Sequence, residues 1–206
     1  MTKIFIEAKN NKTSEYHFLQ TIINIFFPKM DVEFIFMDGI GNLYNETILN
    51  QIKLAQEIGE QVIVFADADT EDKGIGYEKR KKEIENGMTT HNVSFHYFLY
   101  PNNQNDGDVE KLMENAARRD LHSTFFDCFE DYERCVSGSK DESGEPKYNV
   151  PNLKGKLHTY MAAQKLPRKL CKRFGSGDWL FDNPHYWNLN VDTLQPLKEF
   201  FAANRK

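Results

Sequence analysis

Apolar residues fall along the chain in two spacings. Short runs rich in Ile, Val and Phe, typical of buried strands, alternate with longer stretches in which apolar residues recur every three or four positions, as on one helical face. Ile4 to Ile6 is a brief first strand ending at Glu7. Phe18, Leu19, Ile22, Ile23 and Phe26 then share a helical face, closed off by Pro28. VEFIFMDGIG (32–41) is a second strand running into a glycine turn, and Ile48, Ile52 and Ala55 mark a helix that stops at Gly59. QVIVFA (61–66) is the third strand, the polar segment from Tyr77 to Gly87 is helical, and VSFHYFLYP (93–101) is the fourth strand. After Pro101 the spacing is helical as far as Val136. SGSKDESGEPKYNVP (137–151) has the densest turn-forming composition and reads as a mobile loop or hinge. Beyond it, 152–166 and 190–203 are expected helices, joined by the aromatic-rich link GDWLFDNPHYW.

Strands alternating with helices predict an α/β fold: a parallel sheet of about four strands with helices on both faces, plus a helical C-terminal extension. The expected organisation is an α/β domain over 1–136, a flexible loop over 137–151 and an extension over 152–206 packed on the same domain. The third strand is almost continuously apolar, as a strand in the middle of a sheet must be. Ligand sites in such sheets gather at the carboxyl ends of the strands. Glu7, Asp38, Asp67, Asp69 and the acids after Tyr100 all belong to that edge.

Composition narrows the function classes. A length of 206 residues suits one substantial core, and 40% hydrophobic with 28% charged residues is an ordinary globular balance. A net charge of −5 does not advertise a nucleic-acid binder, so such a partner needs a local basic patch or a metal to screen the acids. Cys128, Cys135 and Cys171 are odd in number and lack CxxC spacing, which points away from disulfides and zinc and towards buried or idle thiols. No stretch approaches membrane-spanning length and the N-terminal apolar run is too short for a signal peptide, so the expected compartment is cytoplasm.

The central question is the pair of carboxylates in QVIVFADADT (61–70). In an extended segment residues i and i+2 point the same way, so Asp67 and Asp69 would aim at one point, where a divalent cation relieves their repulsion. Oxygen-only donors with no His or Cys nearby favour Mg²⁺ or Mn²⁺ over zinc. The alternative is that both aspartates merely cap the following loop or helix. Glu7 could complete the metal shell or transfer protons, if the first strand lies beside the third; by itself it is an ordinary exposed strand end. PNNQNDGDVEKLME (101–114) contributes Asp106, Asp108 and Glu110. It is no calcium loop, because aligning Gly107 with that loop's glycine leaves Met113 where a bidentate Glu is required. A capped helix start accounts for it, and Glu110 is also a candidate metal ligand.

Lys79, Arg80, Lys81 and Lys82 are either a solvated helix face interleaved with Glu or contacts to phosphate beside the metal. Lys154, Lys156, Arg168, Lys169, Lys172 and Arg173 make the C-terminal third locally basic, and Lys156 joins Lys79 and Arg80 as a candidate nucleic-acid contact. Trp179, Phe181, Tyr186 and Trp187 are read as core rather than a base-stacking platform.

A first-strand Glu, a later apolar strand ending in Asp-x-Asp, and alternating strands and helices together resemble the Toprim domain of topoisomerases, primases and OLD-type nucleases. That resemblance covers roughly residues 1–115. Closer in detail is a bacterial Toprim-like family of unknown function, in which FADADT, YPNNQNDGDVEKLM and a tail like KLHTYMAAQ…GSGDWLFDNPHYW recur in this order over nearly the whole chain. The resemblance implies a Rossmannoid sheet and a Mg²⁺ site in which Asp67 and Asp69 hold metal, Glu7 helps proton transfer, and Glu110 assists a second metal. One position departs: the family Glu is commonly followed by Gly, and here by Ala8. No topoisomerase tyrosine domain or primase zinc module accompanies it.

The expected function is therefore a metal-dependent phosphodiester hydrolase acting on DNA or RNA. Its competitors are a non-catalytic nucleic-acid or nucleotide-binding module and an Asp-x-Asp nucleotide-sugar glycosyltransferase. The latter lacks its usual Pro-x-x-Asn-like turn after the first strand. The phosphatase signature Asp-x-Asp-x-Thr is missed as well, since Thr70 directly follows Asp69.

Overall fold

The computed structural model describes residues 1–205. Its strands are β1 (Thr2–Ile6), β2 (Val32–Phe36), β3 (Gln61–Asp67) and β4 (His96–Tyr100), in the order β2-β1-β3-β4 and all parallel. The helices are α1 (Ser14–Phe26), α2 (Glu46–Glu57), α3 (Tyr77–His91), α4 (Val109–Ala116), α5 (Ser123–Ser137), α6 (Leu153–Ala162), α7 (Arg168–Gly175) and α8 (Gln195–Ala203). Among the described residues no helix is long and apolar enough to cross a membrane.

Alternation of side chains along each strand divides the core in two. Ile4, Ile6, Ile63, Phe65, Phe98 and Tyr100 face one side, where α1 and the C-terminal helices cover them. Phe5, Val62, Val64, Ala66 and Leu99 face the other, packed against α2 and α3 through Ile48, Ile52 and Ile84. This double coverage is why β3 is apolar at every interior position: both faces of an inner strand are removed from water. Leu157, Tyr160 and Met161 of α6 and Leu197 and Phe201 of α8 belong to the first cluster. The C-terminal third therefore closes one face of the sheet, with the Phe201 ring 5.3 Å from that of Phe65.

Helix starts follow local chemistry. Thr13, Asn45, Asp108 and Asn152 each cap a helix by accepting the backbone N–H three residues on, each cap contributing about 1 kcal/mol. The helical run expected from Pro101 to Val136 is broken between α4 and α5. There Arg118 N donates to Tyr186 O (2.9 Å) and Asn188 N to Ala116 O (2.7 Å), so pairing with a distant segment overrides local propensity. α7 lies in a stretch that the apolar spacing leaves without an element; only Leu170 and Phe174 pack on the core from it. The aromatic link is core: Trp179, Phe181 and Trp187 are buried, and Trp187 Nε1 donates to Trp179 O at 2.7 Å. The three cysteines are free and exposed rather than buried.

Candidate active site

Parallel pairing of β1 with β3 sets the first wall of the site. Phe5 lies opposite Val64, so the chain leaves both strands at the same level, Glu7 just past one and Asp67 ending the other. Glu7 Oε1 accepts from Asp67 N at 2.8 Å and Oε2 from Ile40 N at 3.3 Å. Burial raises the Glu7 carboxyl above its usual range against those two hydrogen bonds and the charge of Arg80.

Asp67 Oδ1 accepts from Val109 N at 2.9 Å, at the start of α4. Burial, then the charges of Glu7 and Glu110, push Asp67 well above the ordinary carboxylate range. Glu110, one residue into α4, is 7% exposed although charged, and its Oε1 meets Lys154 Nζ at 3.0 Å. Asp67, Asp108 and Glu110 line a cleft of about 280 Å³ together with Lys73, Asn152, Leu153 and Lys154. Two lysines thus face three carboxylates across one opening.

A further acid of this cluster, Glu15, was not singled out from the sequence. It is 9% exposed; Oε2 accepts from Ala8 N at 3.1 Å, and Oε1 has no hydrogen-bond partner in the protein. Burial first, then Asp67, Glu7 and Glu110, raise it well above the usual value. Tyr100, opposite Asp67 in the β3–β4 register, is fully buried with its hydroxyl also unpartnered, and Glu15, Asp67, Glu7 and Glu110 all act on it electrostatically. A signal for Glu15 does exist in the sequence. It heads the apolar stripe of α1, with Phe18, Leu19 and Ile22 at i+3, i+4 and i+7.

Asp69 is held differently from Asp67. β3 ends at Asp67, and Asp69 has φ 57°, so the extended geometry that would aim both carboxylates one way is lost. Its backbone is fixed by paired hydrogen bonds with Gly107, 2.8 Å each way. Its carboxylate is held by Lys73 Nζ at 3.1 Å and Arg80 Nη2 at 2.9 Å. Asp38, at the end of β2, is exposed and 3.8 Å from Lys9. Lys79 is exposed, with Nζ donating to Gly74 O at 2.8 Å. Lys156 is buried, 3.0 Å from Glu114 and 4.0 Å from Glu130, and Arg173 is likewise taken up by Asp178 and Asp182. The cleft of Asp67 therefore draws its positive charge from Lys73 and Lys154, of which Lys73 was not marked by sequence pattern.

Among the described residues no group of three or more His, Cys, Asp or Glu side chains stands ready to enclose a metal ion. The donor chemistry nevertheless suits a hard cation: the acids are all oxygen donors, and a buried Glu15 oxygen lacks a partner. Mg²⁺ keeps several waters and takes only one or two protein carboxylates plus substrate phosphates, so an open wall carrying Asp67 and Glu110 suffices without a closed cage.

The raised carboxyls give a testable pH dependence. A folded-state value above the unfolded one means that the native protein holds more protons, so stability falls as pH rises from about 4.5 through the raised value. Glu15→Gln removes one such group. In metal-free buffer at neutral pH it is expected to stabilise the protein by about 1–2 kcal/mol, roughly 2–8 °C in Tm, and to flatten the decline. Thermal melts from pH 4.5 to 8 check this; a variant less stable than the parent at pH 8 would contradict the buried, unneutralised environment.

No curated protein and no solved structure matches the chain. A family model described as "Protein of unknown function (DUF3226)" matches residues 2–204. With a match of that extent, the chain belongs to the DUF3226 family.

Proposed function

We propose that the protein is a Toprim-type, Mg²⁺-dependent phosphodiester hydrolase acting on DNA or RNA. One observation carries the reading: four carboxylates, Glu7, Glu15, Asp67 and Glu110, crowd at the carboxyl end of a parallel sheet, where burial and the neighbouring acids raise Glu15 and Asp67, beside a cleft that also presents two lysines. Buried acids that repel each other are costly to keep unless a cation or a proton task uses them.

Mg²⁺ or Mn²⁺ held at Asp67 and Glu110 would activate water and offset charge building on the phosphate oxygens. The protein's own groups do the rest. Asp67 is fixed in direction by Val109 N, so its second oxygen is the one left for the cleft. Glu7, held by two backbone amides and raised by burial above the usual carboxylate range, is the group for proton transfer. Lys73 and Lys154 line the same cleft and can orient a phosphodiester in it.

Purified full-length protein is expected to cut at least one of single- or double-stranded DNA or RNA with Mg²⁺ or Mn²⁺, and to stop in EDTA. Absence of cleavage across all four with either ion removes the hydrolase reading. The second reading, a non-catalytic nucleic-acid or nucleotide-binding module, is favoured by the complete internal pairing of Asp69. Salt-dependent binding without turnover would select it.

A further inference from the structure

Asp69 stands between two openings. Lys73, on one of its oxygens, lines the cleft of Asp67, Asp108 and Glu110, whereas Arg80, on the other, lines a second cleft of about 170 Å³ with Ile40, Gly41, Leu43, Tyr44, Glu83 and Ile84. Ile40, in the wall of that second cleft, is the residue whose N–H donates to Glu7 Oε2. An anion joining the two clefts would pass over Asp69 and meet Lys73 and Arg80 together.

Several details fit a carboxylate occupying an anion's place rather than forming a permanent brace. Lys73 is 57% exposed in its side chain, and among the described residues Asp69 is its hydrogen-bonded partner. Arg80 is 11% exposed, and its Nε is buried without a hydrogen-bond partner although Nη1 and Nη2 have theirs at Glu83 and Asp69. A monodentate carboxylate oxygen uses one edge of the guanidinium and leaves Nε–H unmet; a phosphate offers more oxygens to the same fork. The loop between Asp69 and α3 is a short 3₁₀ turn, Glu71–Lys73, followed by Gly74 and Gly76 at positive φ, with Asp106 accepting from Glu71 N and Tyr77 N. It is anchored at its ends, leaving the Asp69 side chain and Lys73 to move between partners.

We propose that Asp69 is an internal stand-in for a nucleic-acid backbone phosphate: it holds Lys73 and Arg80 until a phosphodiester displaces it. Lys73 and Arg80 then form the phosphate-binding pair, and the released Asp69 carboxylate becomes available to the cation beside Asp67. This rests on the proposed hydrolase function and supplies its order of events, since phosphate binding favours cation binding and, by linkage, the reverse. A protein with neither ligand keeps both charges neutralised internally.

The test separates the two proposals by working without metal. Asn tolerates a left-handed backbone, so Asp69→Asn keeps the local fold while weakening its hold on both cations. In EDTA, binding of a fluorescent oligodeoxythymidine at fixed low salt is expected to tighten about 10-fold in Asp69→Asn, within the usual range of such couplings. Glu71→Gln, the same change of charge on the exposed neighbouring turn, is expected to leave affinity within about 2-fold, as is usual for one exposed charge. Adding Lys73→Met to Asp69→Asn should abolish the gain. Unchanged or weaker binding by Asp69→Asn, equal tightening by Glu71→Gln, or a gain that survives Lys73→Met each overturns the stand-in role. None of these outcomes bears on metal-dependent cleavage, whose failure is read separately in the wild-type assay with Mg²⁺.

Discussion

Gly177→Ala is expected to destabilise the protein by about 3 kcal/mol or more, lowering Tm by roughly 6–12 °C in a chain of this size. The glycine has φ 84°, and an added Cβ would lie 2.5 Å from Lys12 O, 2.6 Å from Lys12 C and 2.9 Å from Thr13 N. Left-handed backbone alone costs an alanine about 1–2 kcal/mol, and contact with backbone atoms adds about 1–3 kcal/mol because no side chain can swing away. The opposing segment is itself pinned, since Thr13 caps α1 by accepting from Tyr16 N. On the other side, Gly177 N donates to Phe174 O at 3.0 Å. The loop that would have to move links Glu7 to Glu15, so damage should reach the acidic cluster as well as the core. Calorimetric melts of the variant read the effect; a Tm within 2 °C of the parent would mean that the two segments do not meet as described.

Asp67→Asn should separate activity from stability in opposite directions. Asn keeps an oxygen for Val109 N but withdraws the charge, so Mg²⁺-dependent cleavage is expected to fall by more than the roughly 10–100-fold that loss of an outer partner costs a metal site. Without metal, the same change removes a buried charge that Glu7 and Glu110 oppose, and Tm at neutral pH is expected to rise by a few degrees. Rate measurements with Mg²⁺ and melts in EDTA, made on one preparation, test both halves. Undiminished cleavage would take Asp67 out of the catalytic site.

The sheet was readable because burial on two faces leaves a continuous apolar run, and β3 has one from Val62 to Ala66. The meeting of Glu7 with Asp67 followed from topology, since a first strand beside an inner strand ends at the same level. Asp69 was not readable. Its direction depends on whether the strand continues for two residues, and pairing with Gly107, remote in sequence, turns it. Glu15 was hidden for a different reason: an acid in the first turn of a helix reads as an ordinary response to the helix dipole, and only its alignment with Phe18 and Ile22 distinguishes it. The interruption at Ala117 likewise depends on residues 186–188, which no local pattern near α4 contains.

That α8 covers Phe65 has a consequence for biosynthesis. Leu197 and Phe201, which shield that side, are made well after Ile4, Ile63 and Phe65. In the interval the nascent sheet carries an uncovered greasy surface that favours association with neighbouring chains. Polar replacements at Leu197 and Phe201, which would prolong that interval, are expected to lower the soluble yield.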